Sequence, residues 1–298
     1  MGERAMKKDT VTLGLALPVY NERNHVALVF SEVETWAKRR EHWHFLFIDD
    51  GSTDGSGEEL DRLINRCGRA NIRLLRRPTN GGKGLAVKEG FAHLSQDLLC
   101  FTDGDLAYSL DHVDRLEEAL RRFDMVIANR HLTQQVGHSS YRRRILGRGF
   151  NWLARRLLGL PYPDTQAGLK GFRAPVVRTL LRHQRITGFG FDAELLFIAH
   201  RLGYTVGEIA GRVDSRHSYK TGKVRLLKDS LRMWRDILLI RRNGVRDLYV
   251  DDERATLQMP SPRTEPRIGI REIPSTPAGP TPTRAEPDGG RAEAPIQV

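Results

Sequence analysis

The sequence has few cysteines, no apolar N-terminal segment and no long hydrophobic run. Its two cysteines, Cys67 and Cys100, have no metal-ligand spacing, and Cys100 lies in the apolar segment DLLCF. We interpret Cys100 as a core residue and expect a reducing compartment. Residues 1–10 lack the apolar region of a signal peptide, and no stretch of about 18 apolar residues would span a membrane. These absences predict a cytoplasmic protein, either soluble or peripheral.

Proline is scarce except near the C-terminus, where residues 255–298 hold nine of the 14 prolines. This segment has few large apolar residues and no periodicity, which predicts a disordered tail. Its basic and acidic residues are equal in number, so the formal charge of +11 belongs to residues 1–254. Such a charge predicts an anionic partner: nucleic acid, an anionic membrane surface or a phosphate-bearing small molecule. The charge alone does not select among these three.

Short apolar runs alternate with segments of helical periodicity. The runs, which predict strands, are residues 11–17, 45–48, 72–75, 98–101 and 125–128. We expect the first strand to stop at Pro18. Strands separated by helices predict an α/β fold with a mostly parallel sheet and helices on both faces. Ligands of such sheets bind beyond the carboxyl ends of the strands.

Polar segments stand at four of these positions: PVYNE after the first strand, DDGSTD after the second, NGGKG before the third helix and DGDLA after the fourth strand. Each segment alone is also typical of an ordinary turn. In a parallel sheet, however, the four would meet along one edge. That edge is therefore the predicted binding site.

Asp103 and Asp105 are the most informative pair at this edge. Two carboxylates around a glycine at a strand end repel each other unless a cation lies between them, which predicts Mg²⁺ or Mn²⁺ shared with substrate phosphates. Asp50 is placed to accept hydrogen bonds from a base or a ribose. Lys83 lies in a glycine-rich turn before a helix, where it would neutralise phosphate, although the P-loop spacing is absent.

An ordered set of motifs resembles the family 2 glycosyltransferases. The segments are LALPVYNE, FLFIDDGSTDGS, NGGKGLAVKEGF, FTDGDLA, DTQAGLKGFR, GFGFDAELLFIAHRLGY and SYKTGKV. The chain is most similar to the polyprenyl-phosphate and dolichyl-phosphate glycosyltransferases, and FDAELL favours the glucosyltransferase branch. The resemblance implies a GT-A nucleotide-sugar-binding domain over residues 11–243, preceded by an extension over residues 1–10.

The resemblance also implies roles for individual residues in an inverting transfer of a hexose to a polyprenyl or dolichyl phosphate. The nucleoside would be held by Pro18, Tyr20, Glu22 and Asp50, the metal by Asp103 and Asp105, and the donor diphosphate also by Lys83. Ala107 stands where the related mannosyltransferases carry a metal-site glutamine. This departure favours UDP-glucose over GDP-mannose as the donor.

A phosphate acceptor must be positioned and neutralised rather than deprotonated, and arginine suits this task. The resemblance implies that the acceptor phosphate is bound by Arg130, Arg143, Arg216 and Lys223. Candidate catalytic residues are Asp105, Arg130 and Asp192. If the acceptor were a hydroxyl group, Asp192 or Glu194 would be the candidate base, although either would also cap the helix that begins there.

Two basic amphipathic helices are predicted, at residues 142–158 and 224–242. In the second, Leu231, Trp234 and Leu238 share a stripe, with arginines opposite. Such helices usually cover a protein core, and they also fit an anionic membrane surface. Because two of them flank a predicted phosphate site, we expect peripheral attachment to the inner face of the membrane.

Three other functions are weighed against this hypothesis. A family 2 enzyme that acts on a soluble hydroxyl acceptor or a polysaccharide remains the alternative. A nucleotidyltransferase would need a glycine-rich basic signature after the first strand, which is absent. A nucleic-acid-binding protein leaves the acidic pair unexplained and lacks a recognised motif, so no nucleic-acid partner is expected.

Overall fold

The protein is described by a computed structural model over residues 10–133, 141–212 and 226–249, without the side chains of 141–148, 150 and 226–231. The seven strands are β1 (Leu13–Val19), β2 (Trp43–Asp49), β3 (Ile72–Arg76), β4 (Leu98–Phe101), β5 (Met125–Asn129), β6 (Lys170–Arg173) and β7 (Val206–Ala210). The α-helices of this part of the chain are α1 (Arg23–Arg39), α2 (Ser56–Cys67), α3 (Lys83–Ala92), α4 (Asp111–Ala119), α5 (Tyr141–Leu158), α6 (Ala174–His183), α7 (Phe191–Arg201) and α8 (Leu226–Val245).

The strands form one sheet in the order β3-β2-β1-β4-β6-β5-β7. All neighbouring pairs are parallel except those of β6, which runs antiparallel to β4 and β5. The predicted α/β fold with a mostly parallel sheet is confirmed. Strands β6 and β7 are additions that the apolar runs do not predict.

Helices cover both faces of the sheet, as predicted. In β2, Leu46 and Ile48 point to one face and Phe45 and Phe47 to the other, because successive strand residues alternate. The first face packs against α3, α6 and α7 and reaches α5 and α8. The second face packs against α1, α2 and α4. The sheet is thus buried between two apolar layers, and only its ends are open to solvent.

Strand β1 does not stop at Pro18 but continues to Val19, so that prediction is wrong. Pairing with β4 ends at Ala16, whereas pairing with β2 continues through Pro18. The amide of Thr102 donates to the carbonyl of Ala16, which places the backbone groups of alternate residues, Pro18 included, towards β4. Beyond Ala16 that side has no partner strand, so the missing N–H of the proline interrupts no ladder.

Packing continues beyond residue 243, the predicted end of the domain. Tyr249 is fully buried and its ring contacts Phe197. Residues 1–9 and 250–298 lie outside the described residues, and the predictions for both termini remain predictions. No α-helix of the described chain is long and apolar enough to cross a bilayer.

Candidate functional site

The loops that follow β1 and β2 are joined by hydrogen bonds at the carboxyl edge of the sheet. Asn21 has a positive φ of 54° and donates its amide to Ser52 Oγ at 3.0 Å. Its Oδ1 accepts the amide of Thr53 at 2.8 Å. Tyr20, a predicted nucleoside contact, is exposed beside this junction, and the amide of Glu22 donates to Ser56 Oγ. These contacts shape one surface from two loops.

Asp50 holds the NGGKG loop against the end of β2. Its carboxylate accepts the amides of Gly81 at 3.0 Å and Gly82 at 2.9 Å, and it is ion-paired with Arg77. Asp50 is only 3% exposed. In this structure it positions the loop that leads to Lys83, and its contact with a nucleoside remains a prediction. The sequence did not identify Arg77 as its partner.

The acidic turn after β4 is closely packed. A Cβ atom at Gly104 would lie 2.2 Å from the carbonyl oxygen of Pro18, so only glycine fits between the two aspartates. A Cβ atom at Gly168 would lie 2.1 Å from Asp103 Oδ2. Asp105 is largely buried and accepts the amide of Ala107 at 3.2 Å. Pro18, Asp103 and Asp105 therefore meet at this edge, as the sequence predicts.

Asp103 is in contact with a buried network of charged side chains. Lys83 Nζ lies 2.9 Å from Asp103 Oδ1 and 3.5 Å from Asp192 Oδ2. The other oxygen of Asp192 accepts a hydrogen bond from Lys170 Nζ at 2.5 Å. Although burial opposes its charge, the two carboxylates raise the pKa of Lys83 above its ordinary value. Burial lowers the pKa of Lys170, which is fully enclosed and was not predicted as a site residue.

The acidic pair fits a divalent ion that is shared with a ligand. No cluster of three or more His, Cys, Asp or Glu ligands occurs in the described chain, so a metal here would have two protein carboxylates. Mg²⁺ and Mn²⁺ bind in this way when phosphates and water supply the other oxygens. The Asp103 side chain is 33% exposed, which leaves its carboxylate accessible beside Lys83. The residues therefore fit the predicted cofactor.

Arg130 follows β5 and pairs with Asp164. Its Nε and Nη2 atoms donate to the two carboxylate oxygens at 2.8 Å each. This fork raises the pKa of Arg130, and Arg130 lowers the pKa of Asp164 against the effect of burial. Half of the Arg130 side chain remains exposed. Of the other predicted acceptor residues, Arg143 lies in α5 without a described side chain, and Arg216 and Lys223 lie outside the described residues.

Glu194 is a buried structural residue. Its carboxylate accepts the amides of Arg185 and Ile186 and the hydroxyl of Tyr249, the last at 2.7 Å. Burial raises its pKa. Asp192 is likewise held, by two lysines. Both carboxylates are thus engaged by donors of their own chain, which disfavours either as the base for a hydroxyl acceptor.

Comparison with known proteins identifies the same family as the sequence motifs. The profile of glycosyl transferase family 2 matches residues 15–181. The dolichyl-phosphate beta-glucosyltransferase of Saccharomyces cerevisiae is 26% identical over 266 residues, which cover 83% of this chain and 79% of the yeast protein. The enzyme of that name from Dictyostelium discoideum is 28% identical over 250 residues, covering 78% and 75%. The human one is 26% identical and covers 67% of each chain.

Solved structures show a similar fold. Glucosyl-3-phosphoglycerate synthase from Mycobacterium tuberculosis, in complex with Mn²⁺, UDP and glucosyl-3-phosphoglycerate, matches with a TM-score of 0.56 and 20% identity. The match covers 78% of this chain and 80% of the other. The complex of that synthase with UDP gives a TM-score of 0.58 at 19% identity over the same shares. At these identities the likeness establishes the GT-A fold alone, which agrees with the fold predicted from the motifs.

Proposed function

Because this chain belongs to glycosyl transferase family 2, we propose that it transfers glucose from UDP-glucose to a polyprenyl or dolichyl phosphate, with Mg²⁺ or Mn²⁺ as cofactor. The observation that carries the proposal is the contact of Lys83 Nζ with Asp103 beside the Asp103–Asp105 turn. It joins a cation and an acidic pair at the strand ends, as a sugar diphosphate requires. The names of the curated relatives support glucose and the lipid phosphate.

On the donor side, Pro18, Tyr20, Glu22 and Asp50 would form the nucleoside surface, and Asp103 and Asp105 would hold the metal. When bound, the metal would stabilise the negative charge that develops on the leaving diphosphate. Lys83 would add a positive charge that is already in place before the substrate binds. Lys170 and Asp192 keep that ammonium group in place.

On the acceptor side, an oxygen of the lipid phosphate attacks C1 of glucose. The bond from C1 to the β-phosphate oxygen breaks, its electron pair stays on UDP, and the products are the glucosyl lipid phosphate and UDP. No proton has to be removed from an ionised phosphate, which agrees with the engagement of Asp192 and Glu194 by internal donors. Arg130 would orient the attacking phosphate together with Arg143, Arg216 and Lys223.

Helix α8 carries an apolar stripe on its outer face. Ile237 and Ile240 are buried in the core, whereas Trp234 is 41% exposed and Leu238 is 55% exposed. The described part of the predicted stripe, Trp234 and Leu238, therefore faces solvent instead of covering the core. Exposed arginines flank it, namely Arg235, Arg241 and Arg242. An outward apolar stripe between arginines suits the interface of an anionic membrane.

Helix α5, which packs against α8, adds Trp152 to the exposed apolar residues, at 65%. We propose that these two helices attach the protein peripherally to the inner face of the membrane. There the water-insoluble acceptor presents its phosphate. Tryptophan prefers this interface because its ring is apolar and its N–H is polar.

A donor and acceptor screen tests the proposed reaction. We expect UDP release from UDP-glucose to require both a divalent ion and a polyprenyl phosphate, with glucose recovered on the lipid phosphate. EDTA should abolish the transfer. A soluble hydroxyl acceptor that is glucosylated faster than the lipid phosphate would favour the alternative enzyme class, and pyrophosphate release would contradict sugar transfer altogether.

Membrane attachment predicts that Trp234→Ser with Leu238→Ser weakens liposome binding about tenfold or more, because each buried apolar side chain contributes roughly 1.5–3 kcal/mol. The measurement is co-sedimentation with phosphatidylglycerol vesicles. Leu28→Ser on α1 is the matched control, since Leu28 is apolar and similarly exposed, at 48%. Equal binding of the double variant and the control would refute this docking face.

A further inference from the structure

A cavity of about 370 Å³ opens between α8, the loop that precedes α7 and the start of α3. This volume lies in the usual range for small-molecule sites, about 300–1,000 Å³. The NGGKG loop, one of the predicted strand-end segments, contributes Asn80, Gly82 and Lys83 to the cavity, whereas the rest of its wall lies outside the strand-end motifs. Its wall includes charged and apolar side chains, namely Lys83, Arg185, Ile186, Phe189, Arg232, Met233, Arg235, Asp236 and Leu239.

The wall of this cavity is strongly basic. Arg185, Arg232 and Arg235 line it, with Lys83 at its inner end. Among the described residues, none of these three arginines forms a salt bridge of its own. The single acidic group of the wall is Asp236, which is partly buried beside Arg232 and Arg235. Lys83 is already paired with Asp103 and Asp192, so its charge is not counted. Three arginines against one acidic group still leave an excess of positive charge for an anionic ligand.

The same wall has an apolar part. Ile186 is buried at its base, and Met233 and Leu239 contribute partly buried side chains. Phe189 is 62% exposed at the rim, an unusual exposure for a phenylalanine. A ligand that fits the whole wall therefore has a charged head and a hydrocarbon part.

The cavity also connects the two surfaces that the proposed reaction needs. Its inner end is Lys83, whose ammonium group lies 2.9 Å from Asp103. Its outer wall is α8, whose opposite side carries the exposed Trp234 and Leu238. A lipid phosphate that leaves the membrane along α8 would pass this cavity before it reaches the acidic turn.

We propose that this arginine cavity captures the acceptor: Arg185, Arg232 and Arg235 bind the phosphate monoester, and Phe189, Met233 and Leu239 contact the first isoprene units. The inference rests on the proposed function, because it takes the lipid phosphate as the acceptor. In this proposal the lipid phosphate first binds in the arginine cavity. Glucosyl transfer then takes place at a second position, beside Asp103 and Arg130. Guanidinium groups bind phosphate oxygens bidentately, and the exposed arginines lose little by changing partners.

The test compares Arg232→Gln with Arg235→Gln, as a double variant, against Arg178→Gln with Arg182→Gln. The control removes two exposed arginines of α6 that do not line the cavity and have no role in the proposed reaction or membrane contact. The probes are citronellyl phosphate, a short isoprenoid phosphate, then citronellol and inorganic phosphate. Binding is measured by calorimetry, and transfer by steady-state kinetics with UDP-glucose.

We expect the cavity variant to raise the Kd and the KM for citronellyl phosphate about a hundredfold, roughly tenfold for each charged contact. Its kcat should stay within twofold, and the control should match the wild type. Arg130→Gln should instead lower kcat. Citronellol and inorganic phosphate should each bind at least tenfold more weakly than citronellyl phosphate. Citronellol lacks the phosphate group that the arginines bind, and inorganic phosphate lacks the hydrocarbon part.

Other outcomes are decisive against the inference. An unchanged KM in the cavity variant, or inorganic phosphate that binds as tightly as citronellyl phosphate, would overturn it while glucosyl transfer continued. If the wild type transferred no glucose to any isoprenoid phosphate, the proposed function itself would fail. The two failures are therefore distinguishable. Binding of UDP, measured in parallel, should be the same in all variants.

Discussion

Asp103→Asn is expected to slow glucosyl transfer about a thousandfold. Asparagine keeps the size that the contact with Gly168 allows but removes the negative charge that would hold the divalent ion. Loss of a metal's charge stabilisation costs several kcal/mol in the transition state, and about 4 kcal/mol corresponds to a thousandfold in rate. The rate is measured as UDP release with citronellyl phosphate at saturating UDP-glucose and increasing Mn²⁺.

Metal binding provides a second measurement for this variant. The electron paramagnetic resonance signal of free Mn²⁺ should fall when UDP and wild-type protein are added, and much less with Asp103→Asn. Asp111→Asn is the control, because Asp111 is an exposed acid in the first turn of α4, a few residues away. A rate within fivefold of wild type for Asp103→Asn, with unchanged Mn²⁺ binding, would show that the acidic turn holds no functional cation.

Asp192→Asn is expected to lower the free energy of unfolding by about 3–5 kcal/mol, because it leaves the enclosed ammonium group of Lys170 without its carboxylate. Urea unfolding at pH 7 measures the loss. Asp192→Asn with Lys170→Met should recover most of it, since the unpaired charge is then absent. Asp114→Asn, which breaks the partly exposed pair with Arg40, should cost only about 1 kcal/mol.

The stability of Asp192→Asn should depend on pH in a defined direction. Burial already lowers the pKa of Lys170 in the folded wild type, and loss of the carboxylate removes a group that raises it. Between this lowered pKa and the ordinary lysine value of 10.5, the unfolded chain binds more protons than the folded chain. Stability of the variant should therefore rise with pH through that window. If the free energy of unfolding of Asp192→Asn fell from pH 7 to pH 9, the unpaired charge of Lys170 would not be the cause of its instability.

The sequence predicted the parts of the fold whose residues repeat regularly. Four of the five predicted strands, β1, β2, β4 and β5, are apolar runs buried on both faces, as the central strands of a parallel sheet are. The fifth, β3, lies at the edge of the sheet and exposes Arg73. Strand β6 escaped prediction because it has four residues, begins with Lys170 and contains Gly171. Strand β7 escaped because its buried and half-buried residues alternate at the sheet edge. Both depend on distant partners rather than on local pattern.

Site residues were predicted where their chemistry follows directly from a strand end. Asp103, Asp105 and Lys83 were predicted in this way, and the structure brings Lys83 into contact with Asp103, while their roles remain predictions. Lys170 and Arg77 were not, because a lysine inside a strand and an arginine after one ordinarily face solvent. Only the tertiary fold shows that each is enclosed beside a carboxylate, Asp192 for one and Asp50 for the other.

The amphipathic pattern of α8 was visible in the sequence, but its orientation was not. A helical period identifies a stripe without showing whether protein or solvent lies against it. Here Ile237 and Ile240, beside the predicted stripe, face the core, and Trp234 and Leu238 point away from it. A difference of roughly one residue in rotation decides whether such a stripe covers the core or faces solvent.

Lys83 touches Asp103 with its ammonium group while its side chain closes the inner end of the arginine cavity. In the proposed reaction, one cation would therefore be common to the two substrates. If the Lys83 side chain moves when the first substrate binds, the affinity for the second substrate changes. Thermodynamic linkage requires that each substrate change the affinity for the other by the same factor. Donor and acceptor would thus bind cooperatively or antagonistically, even without direct contact between them.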